Sequence, residues 1–298
     1  MKQIIVPQVI TRARAGESGH TSYEIRNSPA ALRPFRGAVE STRATEIATV
    51  PHWADEEWVA LFRRARVLQS VRPQAVFCSL TAAQLTGLPL PPRLRNGPLH
   101  VIVPGTSRVR LDGVVGHRTQ RVDPIDRFGL RINHPGFVLA EVAGLTSPWN
   151  LVQICDALMG NWHGPPVVSH PALTDFLNGH TRFRGRRRLL AALAEAREGV
   201  DSPRETDIRL TIVRAGLPEP RVHPRIRLPS GAVIEPDLGY EDRKVVLEYE
   251  GRHHREEAQW QYDIGRYDEL RDLGYLVIRI TAGMTDRDWL PRLRRALW

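Results

Sequence analysis

At 298 residues, 42% hydrophobic and 25% charged, the chain has an ordinary globular composition and the length for two domains with real cores. Its longest apolar runs (IIV, VVL, LVI) are far too short for a membrane span, and no long apolar stretch with a small-residue cleavage site opens it, so a cytoplasmic protein without a membrane partner is expected. Lys and Arg number 42 against 33 Asp and Glu, and the resulting net charge of +9 points to a polyanionic partner.

That partner is expected to be DNA, and RNA is not excluded. The charge is weak support on its own, because nearly all the cations are Arg, with Lys only at 2 and 244, a skew that GC-rich coding also produces. Two cysteines, Cys78 and Cys155, sit in apolar contexts and read as buried thiols, too few for a metal cluster.

Residues 1–50 carry few periodic signals, and FRGAVEST (35–42) is the one short strand predicted there. ADEEWVALFRRARVLQS (54–70) aligns Trp58, Leu61, Phe62, Ala65 and Leu68 on one helical stripe. SLTAAQLTGLP predicts a short helix with a capping box from Thr81 and Gln84, ended by Gly87. LHVIVPG (99–105) and GVVGHRT (113–119) alternate as strands joined by a basic, hairpin-like segment. SPWNLVQICDALMG (147–160) predicts a helix with Ser147 as N-cap and Pro148 at N1, burying Leu151, Ile154, Cys155 and Leu158. HPALTDFLNG and RGRRRLLAALAEARE predict two more. The second opens on Arg184, Arg186, Arg187 and Arg188, cations that work against the helix dipole, so either they contact phosphates or they form a solvated charge run. EGVDSP marks a boundary, dividing the chain into 1–200 and 201–298.

After the boundary the signals sharpen. SPRETDIRLTIVRAGLP predicts a helix with Ser202 as N-cap, Glu205 at N3 and Gly216 past its end. VHPRIRLPSGAVIEPDLGY predicts two strands turning at Pro229-Ser230-Gly231, and EDRK turns the chain into VVLEYEG. In the strand ending at Tyr240, Ile234, Leu238 and Tyr240 share one face and Asp237 takes the other. In the next, Val245, Leu247 and Tyr249 oppose Val246, Glu248 and Glu250. A two-residue loop pairing 241 with 244, or a four-residue loop pairing 240 with 245, sets Asp237 opposite Glu248 either way, with Glu250 two residues along. Three carboxylates then converge on one side of a hairpin whose other side is apolar. Such a group raises a pKa or demands a cation, and Mg²⁺ or Mn²⁺ suits oxygen ligands. A helix over REEAQWQYDIGRYDELRDLG, a strand YLVIRIT and a helix TDRDWLPRLRRAL complete the order α-β-β-β-α-β.

This order, with acids on the central hairpin, resembles the PD-(D/E)xK nuclease superfamily, and more closely its very-short-patch-repair-endonuclease-like domains of unassigned function. The residues that carry the resemblance are Ser202, Glu205, Ala215-Gly216-Leu217-Pro218, Pro236-Asp237, Glu248-Tyr249-Glu250-Gly251, His254, Asp263, Arg266, Leu270, Gly274-Tyr275 and Arg279. They span about a third of the chain. The upstream region is similar to that of AbiEi-type antitoxin-like proteins through FRGAV, SLTAAQLTGLP, LHVIVP with GHRT, and the helix at CDAL. The winged helix-turn-helix of such proteins is not legible in residues 1–50.

The resemblance implies an α/β nuclease-like domain with a mixed sheet flanked by helices, behind an α+β region that recognises DNA or a partner. It implies Mg²⁺ (or Mn²⁺) held by Asp237 and Glu248, with Glu205 reaching the ion through water, serving as the cap partner of Ser202, or both. The superfamily's lysine position falls at Glu250, which can hold a second metal or act as a base but cannot stabilise phosphate charge. His254 is either the general acid for the leaving oxygen or a surface histidine. His253 and His254 point oppositely in an extended segment, so both rarely ligate one ion. Asp263 and Arg266 share a helix edge as a structural pair, and Arg279 meets a phosphate or caps the acids. Two functions follow: a metal-dependent DNA endonuclease of defence or repair, or a non-catalytic DNA-binding regulator with a degenerate site and a cognate toxin or antitoxin.

Overall fold

The computed structural model describes residues 1–16, 19, 21, 23, 27, 35–103, 109–251 and 257–298, the side chains of 14 and 257–264 excepted. It is a mixed α/β protein of two compact units, Met1–Leu151 with Leu173–Ala191, and Val152–Ala172 with Ala192–Trp298. The division therefore does not fall at 200. Residues 152–172 belong with the C-terminal unit because Asp156 is buried there against Arg209, as described below. Among the described residues no helix is long and apolar enough to cross a membrane.

The first unit opens with a β-ribbon that the sequence hardly signals, β1 (Lys2–Thr11) antiparallel to β2 (Ala38–Val50). Its register breaks between Pro7 and Val9, where proline has no N–H to donate. The opposite strand absorbs the break through Ser41, whose Oγ accepts from the N–H groups of Arg43 and Ala44 at 3.1 and 2.9 Å. Helix α1 (Glu56–Val71) packs on this ribbon and buries the expected stripe, Trp58, Leu61, Phe62, Ala65 and Leu68, with Val67 as well.

A five-stranded sheet follows in the order β5-β4-β3-β7-β6, built from β3 (Val76–Phe77), β4 (Leu99–Ile102), β5 (Val114–His117), β6 (Pro124–Arg127) and β7 (Leu130–Asn133). The segment joining β4 to β5 is not a hairpin, because the two strands pair parallel, Leu99 with Val114 through Ile102 with His117. The hairpin in this sheet is β6–β7, whose central residues Phe128 and Gly129 both have positive φ, 56° and 72°, as the favoured two-residue turn requires. In α2 (Ser79–Leu85) no Thr81–Gln84 capping box forms, since Thr81 Oγ1 instead accepts from the His100 N–H at 2.8 Å.

Helix α3 (Pro135–Val142) ends this stretch, and α4 (Pro148–Met159) begins at Ser147, whose Oγ accepts from the Asn150 N–H at 3.1 Å. α5 (His170–Gly179) and α6 (Arg186–Glu195) lie where periodicity placed them.

The second unit is three layers deep around a mixed sheet, β13-β12-β11-β8. Its strands are β8 (Arg221–Val222), β11 (Leu238–Tyr240), β12 (Val245–Glu250) and β13 (Leu276–Thr281), antiparallel except β12 with β13. Alternation sends Leu238, Tyr240, Val245, Leu247, Ile278 and Ile280 to one face, where α7 (Pro203–Arg214) adds Ile208 and Ile212 and α9 (Asp286–Leu297) adds Trp289, Leu293 and Leu297. The other face carries Val246 under Tyr267 and Leu270 of α8 (Glu257–Asp272).

Ile226, Leu228 and Ile234 join that second cluster from a separate hairpin, β9 (Ile226–Arg227) with β10 (Val233–Ile234). Two corrections result. VHPRIRLPSGAVIEPDLGY forms four short strands rather than two, and Ile234 lies on the opposite side of the sheet from Leu238 and Tyr240.

Candidate metal centre

The hairpin β11–β12 pairs Tyr240 with Val245 and Leu238 with Leu247, the register of a four-residue loop. Extended by one step it sets Asp237 against Glu248, and Asp237 is held there because its Oδ2 accepts from the Tyr249 N–H at 2.6 Å. Two neighbours then stand beside it, one of them unexpected.

The first is His223. β8 pairs Arg221 with Gly239 and Val222 with Leu238, and the His223 N–H continues the ladder to the Asp237 carbonyl at 3.1 Å. Pro224 follows, with no N–H to extend the strand, and His223 takes a positive φ of 45° that non-glycine residues adopt only at a cost. Its Nε2 stands 3.1 Å from Glu205 Oε2, and its Nδ1 stands 3.7 Å from Asp201 Oδ2.

The second is Glu205, which belongs to the helix start. Ser202 Oγ accepts from the Glu205 N–H at 3.2 Å, while the Glu205 carboxylate accepts from the Asp201 N–H at 3.0 Å rather than from Ser202. The cap is real but shifted by one residue, and it leaves a carboxylate 4% exposed aimed at His223. The capping arrangement therefore leaves Glu205 beside His223. One ligand atom each from Glu205, His223 and Asp237 lie within 4.8 Å of one another, a donor set that fits a divalent cation.

The electrostatics agree with a site built for positive charge. Burial, followed by the charge of Glu205, pushes the Asp237 carboxyl up to about 7, and Glu248 adds to this; the Tyr249 N–H and His223 pull the other way. His223 is raised above the ordinary imidazole value chiefly by its hydrogen bond to Glu205, which outweighs its desolvation.

Glu248 and Glu250 are placed beside this group but are otherwise engaged. Glu248, 6% exposed, accepts from Arg266 Nη2 at 2.7 Å and from the Tyr267 hydroxyl. Burial pushes that hydroxyl up to about 12, so it donates. Glu250 pairs with Arg279 across the parallel strands, and the guanidinia of Arg266 and Arg279 each lie over the Tyr267 ring, 5.5 and 5.4 Å from its centroid. The acid face of the hairpin is thus covered by α8, and two arginines offset the repulsion among its carboxylates. Arg279 caps an acid, and Arg266 pairs with Glu248. His253 and His254 lie outside the described residues, as does the side chain of Asp263.

Of the basic cluster, Arg186 Nη2 donates to the Leu177 carbonyl at 3.3 Å and Arg188 donates to the Thr146 carbonyl, closing off the ends of neighbouring helices. Arg184 and Arg187 are exposed. His223 went unread in the sequence because Pro224 hides the two-residue strand before it. Had 221–222 been paired with 238–239, the next step of the ladder would have set 223 beside 237.

No family model matches the chain, and no solved structure matches it. It is similar to two uncharacterized proteins of Mycobacterium tuberculosis, one from strain CDC 1551 / Oshkosh and one from strain ATCC 25618 / H37Rv. Each is 28% identical over 224 residues, covering 72% of this chain and 77% of the relative.

Proposed function

We propose that the C-terminal unit is a metal-dependent phosphodiesterase of the PD-(D/E)xK type that nicks or cleaves DNA in defence or repair. The observation that carries this reading is the convergence of Glu205 of α7 and Asp237 of the central hairpin, each with a ligand atom within 4.8 Å of the other and of one on His223. The order of α7, the antiparallel strands, α8 and β13 supports the superfamily topology, and so does Glu248 standing across from Asp237.

A divalent ion, Mg²⁺ or Mn²⁺, would supply Lewis-acid polarisation of a phosphodiester and a more acidic bound water. Asp237 and Glu205 are the residues that would hold it. The Tyr249 N–H fixes one Asp237 oxygen, and among the described residues no other hydrogen bond engages the second. Arg266 and Tyr267 both donate to Glu248, which would join the ligand set only by exchanging these bonds. Arg184 and Arg187 are exposed members of the basic cluster that would meet the DNA backbone, and Arg188, exposed as well, donates to the Thr146 carbonyl.

A second reading, a DNA-binding regulator with a degenerate site and a toxin or antitoxin partner, is favoured by one observation. Both Glu248 and Glu250 are tied to arginines. Nicking of supercoiled plasmid separates the two readings. Metal-dependent nicking lost in Asp237→Ala and Glu205→Ala supports the nuclease, whereas DNA retardation without any cleavage supports the regulator.

A further inference from the structure

The site differs from an all-oxygen carboxylate centre in one respect, and we infer from it that His223 is a direct metal ligand, which makes this a nitrogen–oxygen site for a transition ion such as Mn²⁺ rather than a Mg²⁺ site. This builds on the phosphodiesterase reading by naming the ion of the same site, and it holds whether or not DNA is the substrate.

Geometry comes first. Two donor atoms bound to one ion at about 2.1 Å, at right angles, are about 3 Å apart. His223 Nε2 and Glu205 Oε2 are 3.1 Å apart, and an Asp237 oxygen completes a set within 4.8 Å. His223 Nε2 and Glu205 Oε2 thus already have the spacing of two ligands on one ion, with the Asp237 oxygen close beside them.

The second feature is orientation. A ligating imidazole generally directs its other nitrogen to a carboxylate or carbonyl that fixes the ring and its tautomer. Here Nδ1 faces the Asp201 carboxylate at 3.7 Å, while the Asp201 N–H holds Glu205 at 3.0 Å. Asp201 thus holds Glu205 through its N–H and sets its own carboxylate beside the His223 ring. His223 is fixed at the backbone by the bond from its N–H to the Asp237 carbonyl.

Chemistry selects the ion. Mg²⁺ favours oxygen donors and retains its waters, whereas imidazole suits Zn²⁺, Fe²⁺ and the later transition ions, and Mn²⁺, the weakest binder of that series, is its spectroscopically accessible member. The carboxylates that would make an all-oxygen set, Glu248 and Glu250, are those bound to Arg266, Tyr267 and Arg279.

The test is calorimetric titration of the full-length protein with Mn²⁺ and with Mg²⁺, together with pulsed electron paramagnetic resonance of the Mn²⁺ form. Variants are His223→Ala, His223→Asn and Asp201→Asn, each checked for an unchanged circular dichroism melt. The expected result is Mn²⁺ bound at least about tenfold more tightly than Mg²⁺, with nitrogen hyperfine coupling in the spectrum. His223→Ala and His223→Asn should both abolish the coupling and weaken Mn²⁺ about 10–100-fold, and Asp201→Asn should weaken it about tenfold. Equal affinity for the two ions without nitrogen coupling overturns the inference, as does Mn²⁺ binding unchanged in both His223 variants. If one variant fails to fold, the other and the coupling in the wild type decide. Mg²⁺-supported nicking indifferent to His223 would overturn this inference and keep the nuclease. Nitrogen-coordinated Mn²⁺ without cleavage would keep this inference and overturn the nuclease.

Discussion

Arg209 and Asp156 are each 1% exposed at the side chain and meet at 2.7 Å, an ion pair formed between α7 and a helix 53 residues earlier. Asp156 also accepts from the Thr206 hydroxyl at 2.8 Å and the Arg197 N–H at 2.7 Å, and Arg209 reaches Glu219 and the Glu195 carbonyl. Burial raises the Asp156 carboxyl despite these partners, so the charge is held at a cost that only the full network offsets.

Removing one partner leaves the other charge buried. Asp156→Ala is expected to destabilise the C-terminal unit by about 3–5 kcal/mol, and Arg209→Met by a similar amount. Combining Asp156→Leu with Arg209→Met should recover much of the loss, because no buried charge then remains. Urea unfolding of each variant measures this. Equal instability of the single and double variants would mean that packing, not charge, is what the pair supplies.

The metal site should cost stability when empty. Asp237 is an acid whose folded pKa, about 7, lies above the ordinary 3.8, so the folded state binds more protons across that window. Stability from this group is therefore highest below pH 3.8 and falls as pH rises to about 7. At pH 8, Asp237→Asn should raise the metal-free stability by about 1–2 kcal/mol, the full shift setting an upper bound of about 4 kcal/mol. The advantage should vanish near pH 4. Added Mn²⁺ should raise the wild-type melting temperature and leave that of Asp237→Asn unmoved. A variant less stable than wild type at pH 8 would contradict the strained-acid account.

Gly239 offers a way to disturb the site without touching a ligand. A Cβ there would lie 2.9 Å from Pro224 Cγ and 3.2 Å from the Val245 carbonyl oxygen. Gly239→Ala should push the Pro224 ring away and carry His223 with it. The expected outcome is Mn²⁺ affinity reduced about tenfold or more by calorimetry, with β11 still formed.

Tyr267 and Arg266 together satisfy Glu248. Tyr267→Phe removes a donor to a buried carboxylate and should destabilise by about 1.5–3 kcal/mol in chemical denaturation. Glu248→Gln should reduce that penalty, since a neutral amide needs the donor less. An unchanged penalty in the double variant would mean that the hydroxyl stabilises through something other than Glu248.

How far the sequence led depends on which physical signal each element left. The stripe of α1 and the caps at Ser147 and Ser202 were legible because helical period and cap chemistry are local. The 240–245 register was legible too, because a short loop and a period of two leave few alternatives.

What escaped depends on partners distant in sequence. The parallel pairing of β4 with β5 has no local mark, and the β1–β2 ribbon hides its alternation behind Pro7 and the Ser41 turn. Asp237 was found because a carboxylate in a strand is conspicuous. Arg279 was legible as a cap for the acids, but Arg266, which claims Glu248, reads in the sequence as the partner of Asp263, since only the packing of α8 delivers it.

The placement of residues 152–172 in the C-terminal unit also has a consequence for biosynthesis. At about 5–20 residues per second, roughly 3–10 s separate the making of Asp156 from that of Arg209. Until then the carboxylate lacks its buried Arg209 partner, and hydration favours keeping it at the surface. Slow codons between the two positions would lengthen that exposure, and fast ones would shorten it, without altering a single side chain.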